Sequence, residues 1–336
     1  MKILVTGGAG YIGGIVAQTL LEAGHTVVVY DNLSCGHRRA VPVEATFVHG
    51  DIADRSKLDR LFSNFAFDAV MHFAAFTEAG ESMKTPEIYF RNNAVHTLTL
   101  LEAVCAAGVK RFVFSSTAAV YGEPKLVPIK EDDLILPTNP YGESKAMVER
   151  MLEWFNRIHG LHYASLRYFN AAGSAGELGE AHQPESHLIP LVLQVALGTR
   201  KNISIFGTDY RTPDGSCIRD YIHVRDLAKA HVLCLEALAS HDRLIYNLGA
   251  SKGFSVREVV ATARKVTGHC IPVIECARRA GDPAVLIANS KKIKRELGWK
   301  PMHSELAEII ESAWTWMKAH PKGYPAEDHE PQPCQS

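Results

Sequence analysis

The first thirty residues constrain the fold most. An apolar, β-branched run (Ile3–Thr6) meets the glycine-rich TGGAGYIG, an amphipathic stretch follows from Ile12 to Ala23, and Thr26–Tyr30 is apolar again. A strand that turns on glycine into a helix and returns to a second strand is a βαβ unit, and its strands are parallel. The same alternation continues, with strands expected at Thr46–His49, Ala69–Phe73, Arg111–Ser116 and His162–Arg167. Helices are expected between them at Arg55–Asn64, Pro86–Ala107 and Tyr141–His159. Such a rhythm predicts an α/β fold with a doubly wound parallel (Rossmann) sheet, whose ligands bind at the carboxyl ends of the strands.

After about Asn170 glycine-rich and polar segments surround shorter elements. We therefore expect a dinucleotide-binding domain over 1–170, a smaller α/β substrate domain over 171–324 and a polar tail over 325–336. Asp226 is placed to cap a helix running to Leu238, and Leu244–Leu248 reads as a buried strand, so 226–250 is expected to return to the first domain. Further helices are expected near Leu188–Leu197 and Ser304–Met317. Ser255 with Glu258 reads as a capping box.

Composition excludes several classes of function. A net charge of -1 over 336 residues leaves no basic footprint for nucleic acid or an anionic membrane. No apolar run reaches the roughly 18 residues that cross a bilayer, and MKILVTGG opens on a strand without room for a secretory signal. The seven cysteines are scattered without a C-x-x-C pair, which predicts reduced thiols and a cytoplasmic location. None of the sixteen histidines falls in H-x-x-x-H or H-E-x-x-H spacing, so no metal is expected.

Gly7, Gly10 and Gly13 form G-x-x-G-x-x-G between the first strand and its helix. Without side chains there, backbone amides can approach a pyrophosphate at the positive helix end. Asp31, at the tip of the second strand, is placed to accept from an adenosine ribose diol, and its charge disfavours a 2'-phosphate. NAD is favoured over NADP. Arg38 and Arg39 lie nearby, but read as a solvated loop pair. Asp51 and Ile52 close the third strand where an adenine edge would lie.

Tyr141 and Lys145 in PYGESK lie about one helical turn apart, on one face. A phenol with a pKa near 10 is a poor base at neutral pH, and a neighbouring ammonium favours its anion. So tuned, a tyrosine can take a proton from a sugar hydroxyl while hydride leaves the same carbon.

TGGAGYIG, YDNLS, GDI, HFAA, SSTAAVYG, NPYGESK, RYFNAAG and VRDYIHV together resemble the extended short-chain dehydrogenase/reductase family. IFGTDY, DGSCIRDYIHV and RRAGDP narrow the resemblance to its UDP-glucose 4-epimerase branch, over Met1 to about Tyr324. The resemblance implies interconversion of UDP-glucose and UDP-galactose with bound NAD: oxidation at C4, rotation of the 4-keto sugar, and hydride return to the other face. It gives Tyr141 the role of base, Lys145 the lowering of its pKa and a bond to the nicotinamide ribose, and Thr117 a hydrogen bond to the sugar oxygen. Read alone, Thr117 has a second reading, a strand-end threonine capping a turn. By the same resemblance Tyr11, Ile12, Asp31, Asn32, Asp51, Ile52, Phe73, Ala74, Ala75, Asn92 and Phe169 line the cofactor. Asn170, Leu188, Phe206, Arg219, Arg279 and Asp282 hold the UDP-sugar.

Three positions depart from the family pattern. Thr77 replaces a lysine near the cofactor. His187 replaces an asparagine beside the diphosphate. Leu286 occupies the position whose size admits or excludes N-acetylated sugars, and its bulk implies a preference for UDP-glucose and UDP-galactose. A 4,6-dehydratase would need an acid and a base after Thr117, where Ala118 and Ala119 stand. A 4-epimerase for UDP-xylose/UDP-arabinose, UDP-glucuronate or UDP-N-acetylhexosamine remains the alternative, and a non-enzymatic NAD-sensing module a more distant one. Leu98, Leu101, Val148, Met151, Leu152 and Phe155 lie on two helices. The resemblance implies that they pair with their copies in a homodimer, and ordinary core packing is the other reading.

Overall fold

Both faces of the first strands are apolar, so each strand can be covered on two sides. In the computed structural model, which describes residues 1–279 and 282–325, that is what happens. The chain begins β1 (Lys2–Thr6), α1 (Tyr11–Glu22), β2 (Thr26–Asp31), β3 (Thr46–His49), α2 (Arg55–Asn64) and β4 (Ala69–His72). Short helices α3 (Ala79–Ser82) and α4 (Pro86–Tyr89) precede α5 (His96–Ala106), β5 (Arg111–Thr117), α6 (Pro140–His159) and β6 (His162–Tyr168). The later half runs β7 (Asn170–Ala172), α7 (Leu188–Ala196), β8 (Ile203–Phe206), β9 (Ile218–His223), α8 (Val224–Ala237) and β10 (Arg243–Leu248). It ends with β11 (Gly253–Ser255), α9 (Val256–Thr267), β12 (Val273–Cys276), β13 (Val285–Leu286), α10 (Lys291–Leu297) and α11 (Leu306–Ala319).

Seven strands form one parallel sheet in the order β10-β6-β5-β4-β1-β2-β3. The expected doubly wound sheet is present. Ile3 and Val5 face one side, where they pack with Ile15, Val16 and Leu20 of α1 and Leu227 and Leu235 of α8. Leu4 faces the other, with Leu58 of α2, Leu101 and Val104 of α5, and Val148 and Leu152 of α6. The order reverses between β1 and β4, which opens a crevice at their carboxyl ends. A second sheet gathers β7, β11 and β13 around β9, and β8 pairs with β12.

Three expectations need correction. Asp226 does not cap α8: the His223 side chain accepts from the Arg225 amide, and Asp226 lies in the first turn. The helix expected over Pro86–Ala107 is interrupted by a π-helical turn at Phe90–Val95. On the supposed dimer face, Leu101, Val148 and Leu152 are fully buried in the chain's own core, and Met151 and Phe155 pack against it. Core packing accounts for these five, while Leu98 is half-buried and lies in none of the core clusters of the described residues. The apolar residues that α6 leaves exposed are Met147, Trp154 and Ile158; Ile88 of α4 and Val95 of the π-turn, elements that pack against α6, are exposed too. The Ser255–Glu258 capping box is present, with both reciprocal bonds. Most of the expected polar tail lies outside the described residues.

Three interior imidazoles are held neutral by burial: His72 and His223 are each pushed down to about 3, His231 to about 4. His72 is bonded on both sides, to Thr6 Oγ1 at 2.7 Å and Thr97 Oγ1 at 2.8 Å. An unfolded chain protonates these rings near pH 6.5, whereas the folded one does not. Their stabilisation is therefore complete above pH 6.5 and is lost as pH falls toward 3–4. Each contributes a slope of at most about 1.4 kcal/mol per pH unit. Urea melts between pH 7 and pH 5 should show falling midpoints, with a shallower slope for His72→Gln; equal slopes would refute the assignment.

Candidate functional site

Close backbone approach builds the nucleotide end. Gly7 has φ +74°, and a Cβ there would lie 2.4 Å from the Ala74 nitrogen. A Cβ on Gly13 would lie 2.2 Å from the Gly7 oxygen. α1 starts at Tyr11 behind Gly10, which offers no side-chain cap, so the first amides of the helix are left for an anion. The Asp31 carboxylate is steered by two amides, Ala9 N at 3.0 Å and Leu33 N at 2.8 Å. Burial raises its pKa. Each oxygen keeps a lone pair free for a ribose hydroxyl. Asn32 donates to Asp51 Oδ2 at 2.7 Å, tying the ends of β2 and β3 together. Arg38 lies over the Phe47 ring at 4.6 Å, and neither it nor Arg39 lines the cleft.

The π-turn serves the same cleft. Asn93 bonds the Phe76 backbone through both its amide atoms, at 2.9 Å each, and donates to Ser144 Oγ at 3.1 Å. It fixes the loop after β4 against α6. π-turns often mark functional sites, but no sequence period announces one. An Asn-Asn pair inside an apolar helix was the only available signal.

α6 carries Tyr141 and Lys145, the candidate pair. Asn139 caps it by accepting from Gly142 N at 2.8 Å, and Pro140 occupies the first turn. At Gly142 a Cβ would lie 2.6 Å from the Ala119 oxygen, so glycine lets α6 touch the turn after β5 and brings Tyr141 to Thr117. The capping reading of Thr117 holds: its Oγ1 accepts from Ala119 N at 3.1 Å, and its hydroxyl lies beside the Tyr141 phenol in the cleft, where it opposes in part the effect of burial on that phenol. Lys145 is buried and donates to the Ser115 carbonyl at 2.8 Å, with its ammonium 4.9 Å from the Phe114 ring.

Beneath this pair lies a buried ion pair that sequence reading missed. Arg167 grips Glu149 through Nε at 3.0 Å and Nη2 at 2.7 Å, and Ser116 Oγ donates to the same carboxylate at 2.5 Å. Glu149 lies one further turn along the face of Tyr141 and Lys145, and that spacing was the signal for it.

In the protein alone the electrostatics run opposite to expectation. Burial pushes the Tyr141 phenol up to about 12, opposed in part by the Thr117 hydroxyl. Burial brings Lys145 down to about 7. Desolvation disfavours the charged form of each.

One cleft of about 510 Å³ collects the glycine turn with Tyr11 and Ile12, Asp31, Asn32, Asp51, Ile52, Phe73, Ala74, Ala75 and Asn92. Thr117, Tyr141, Lys145, Phe169, Asn170, Thr77 and His187 line it too. Tyr168, absent from the sequence-based set, also lines it and bonds His231. The remaining residues expected around the sugar nucleotide do not line this cleft and gather beside it. Arg279 stacks on Phe206 at 3.9 Å, Arg219 is paired with Asp282, and Leu286 sits opposite Arg219 across β13 and β9. Leu286 packs in the same small apolar cluster as Phe169, which joins the two groups. Leu188 opens α7, directly after His187. Burial alone would raise the Glu180 pKa, but the rings of His187 and His182 more than offset it and hold the carboxyl well below its usual range.

A helix end stripped of side chains and, along the same cleft, a half-buried phenol and a buried ammonium leave room for an extended dinucleotide with its reactive ring against Tyr141. That is the plan of a short-chain dehydrogenase/reductase. Residues 3–249 match the model described as the NAD dependent epimerase/dehydratase family, and the chain belongs to that family. A UDP-glucose 4-epimerase from Halalkalibacterium halodurans is 53% identical over 99% of this chain and 100% of its own. The crystal structure of a UDP-glucose 4-epimerase from Brucella ovis in complex with NAD superposes with a TM-score of 0.91 at 45% identity, covering 94% of this chain and 97% of that one. One from Bifidobacterium longum, in complex with NAD+ and UDP, gives 0.92 at 37% identity, covering 96% and 100%. The site is NAD-dependent, as the glycine turn and Asp31 imply.

Gly13→Ala should therefore purify without dinucleotide, because its methyl would collide with the turn itself. Gly80, with no atom within 4 Å of an added Cβ, is the control. Absorbance of nucleotide released on denaturation checks this; full occupancy in Gly13→Ala would overturn it.

Proposed function

We propose that this chain interconverts UDP-glucose and UDP-galactose by inverting the sugar at C4. The observation that carries the reading is the half-buried phenol of Tyr141, beside Thr117 and one turn from Lys145 in the dinucleotide cleft. NAD, when bound, supplies a reversible hydride acceptor beside the sugar carbon. Tyr141 as phenolate takes the 4-hydroxyl proton and later returns it, while Thr117 hydrogen-bonds the same oxygen. Between the two transfers the 4-keto sugar turns about its diphosphate link.

A phenol at about 12 is protonated at neutral pH, so the reaction needs positive charge close to it in a dry site. Each unit of lowering is worth about 1.4 kcal/mol. Lys145 supplies that charge only while protonated, and at about 7 it is close to losing it. Arg219 and Arg279 suit the diphosphate as guanidinium forks, Asp282 suits a ribose hydroxyl, and Asn170, His187, Leu188 and Phe206 complete the contact to UDP. Leu286, packed against the same apolar cluster as Phe169, supports a preference for sugars without an N-acetyl group.

The exposed apolar stripe of Met147, Trp154 and Ile158 supports a homodimer formed through α6. The described cysteines, all free thiols, accord with a cytoplasmic location.

Tyr141→Phe should lower kcat by about 10²–10⁴-fold with NAD still bound, read by chromatography of UDP-glucose and UDP-galactose. Undiminished turnover would sink the mechanism, and equal turnover of UDP-N-acetylglucosamine by the unaltered chain would remove the role given to Leu286. For the assembly, light scattering should give twice the chain mass, and Trp154→Glu should halve it. A monomer before substitution refutes the dimer.

A further inference from the structure

The segment between β7 and α7 carries Glu180, His182, Glu185 and His187, a Glu-x-His-x-x-Glu-x-His pattern outside the spacings usually searched for. One ligating atom from each lies within 4.8 Å of the other three. His187 Nδ1 is 2.9 Å from Glu180 Oε1 and 2.9 Å from Glu185 Oε1, and His182 Nδ1 is 3.2 Å from Glu180 Oε1. The carboxylate side chains are only 7% and 6% exposed. A tetrahedral zinc ion with bonds of about 2.0–2.2 Å sets its ligand atoms roughly 3.3 Å apart. The observed separations are already close to that.

Charge points the same way. Two buried carboxylates converge on one ring nitrogen, whose single proton can satisfy only one of them. The two rings partner the carboxylates through their protons, and a divalent cation taking the protons' place would be bound by all four groups at once. The set is also held in place. Glu185 Oε1 accepts from the amides of Ser186 and His187 at 2.8 Å each, His37 Nε2 bonds the Ala181 carbonyl at 2.9 Å, and Tyr11 packs edge-on against His182. Outer contacts of this kind orient ligands in metal sites.

We propose that Glu180, His182, Glu185 and His187 bind one divalent transition-metal ion of the zinc class at the wall of the nucleotide cleft. Two imidazoles with two carboxylates suit zinc or cobalt, whereas calcium and magnesium prefer oxygen ligands alone. The inference rests on this segment and not on the sugar that the enzyme turns over.

The test uses the full chain with its dinucleotide bound, stripped of metal by chelator and titrated with Zn²⁺ or Co²⁺. The expected result is one equivalent of zinc per chain by elemental analysis, and with Co²⁺ the intense visible absorption of tetrahedral coordination. His182→Ala and Glu185→Gln should each weaken binding by more than the about 10-fold that loss of an outer contact brings. Cys35→Ser and Cys270→Ser, at exposed thiols, should leave it unchanged. Absence of stoichiometric binding, or binding that survives both ligand substitutions, would overturn the proposal. So would binding that is lost with the thiols.

Discussion

The ion pair between Glu149 and Arg167 holds the helix that carries Tyr141 and Lys145. Glu149 belongs to α6 and Arg167 to β6, and both are almost fully buried. The bidentate grip, together with Ser116 from β5, locks the helix to two neighbouring strands at a fixed height and rotation. Tyr141 and Lys145 stand on the same helix face, so their positions over the cleft are set from below. A buried pair of this kind adds little net stability, but removing one partner costs about 3–5 kcal/mol. Its contribution here is positional: an apolar pair could pack as tightly without fixing the helix rotation.

On that anchored helix, desolvation prepares the chemistry. Burial favours the neutral phenol and the neutral amine alike. The working state needs the reverse, a phenolate beside an ammonium. The resting protein therefore holds the pair away from its reactive ionisation; added positive charge in the cleft favours the phenolate but not the ammonium, and it is the phenolate, once formed, that favours the charged form of Lys145. Thr117 assists because it already opposes the rise at Tyr141 while remaining anchored to the Ala119 amide.

What was legible in the sequence followed physical period and stereochemistry. The six strands of the first half, the glycine turn and the Ser255–Glu258 box each have a local cause, and each was read from local residues. What was not legible depended on partners distant in sequence. Helical period shows that α6 has a wide apolar stripe. It cannot say that Val148 and Leu152 meet the sheet while Trp154 and Ile158 stay outside. Asp226 has the right type for a cap, yet it is buried because Trp299 Nε1 bonds its carbonyl at 3.1 Å and the His303 amide bonds its carboxylate at 2.7 Å. Those partners lie more than seventy residues away, so His223 took the cap instead. The π-turn at Asn92–Asn93 likewise answers to Phe76 and Ser144, not to its own neighbours.

The residues proposed for the sugar side between Phe206 and Leu286 are the extreme case, scattered along the chain and recognisable in sequence only through their resemblance to a family. Their coherence comes from β9. That strand pairs with β7, which follows the sheet strand β6, and with β11 and β13, and it runs directly into α8, which packs with α1 in the core. At its centre Asp220, fully buried, accepts from the amides of Ala250 at 2.8 Å, Ser251 at 3.0 Å and Ala288 at 3.0 Å. One carboxylate thus joins three segments that share no local pattern. Gly249 has no room for a side chain because a Cβ would lie 2.5 Å from that same carboxylate. Arg219 is the next residue along, facing Leu286 in register. A displacement of β9 would therefore move Arg219, Leu286 and the start of α8 together, which couples the proposed sugar side of the site to the sheet that packs against the helix of Tyr141.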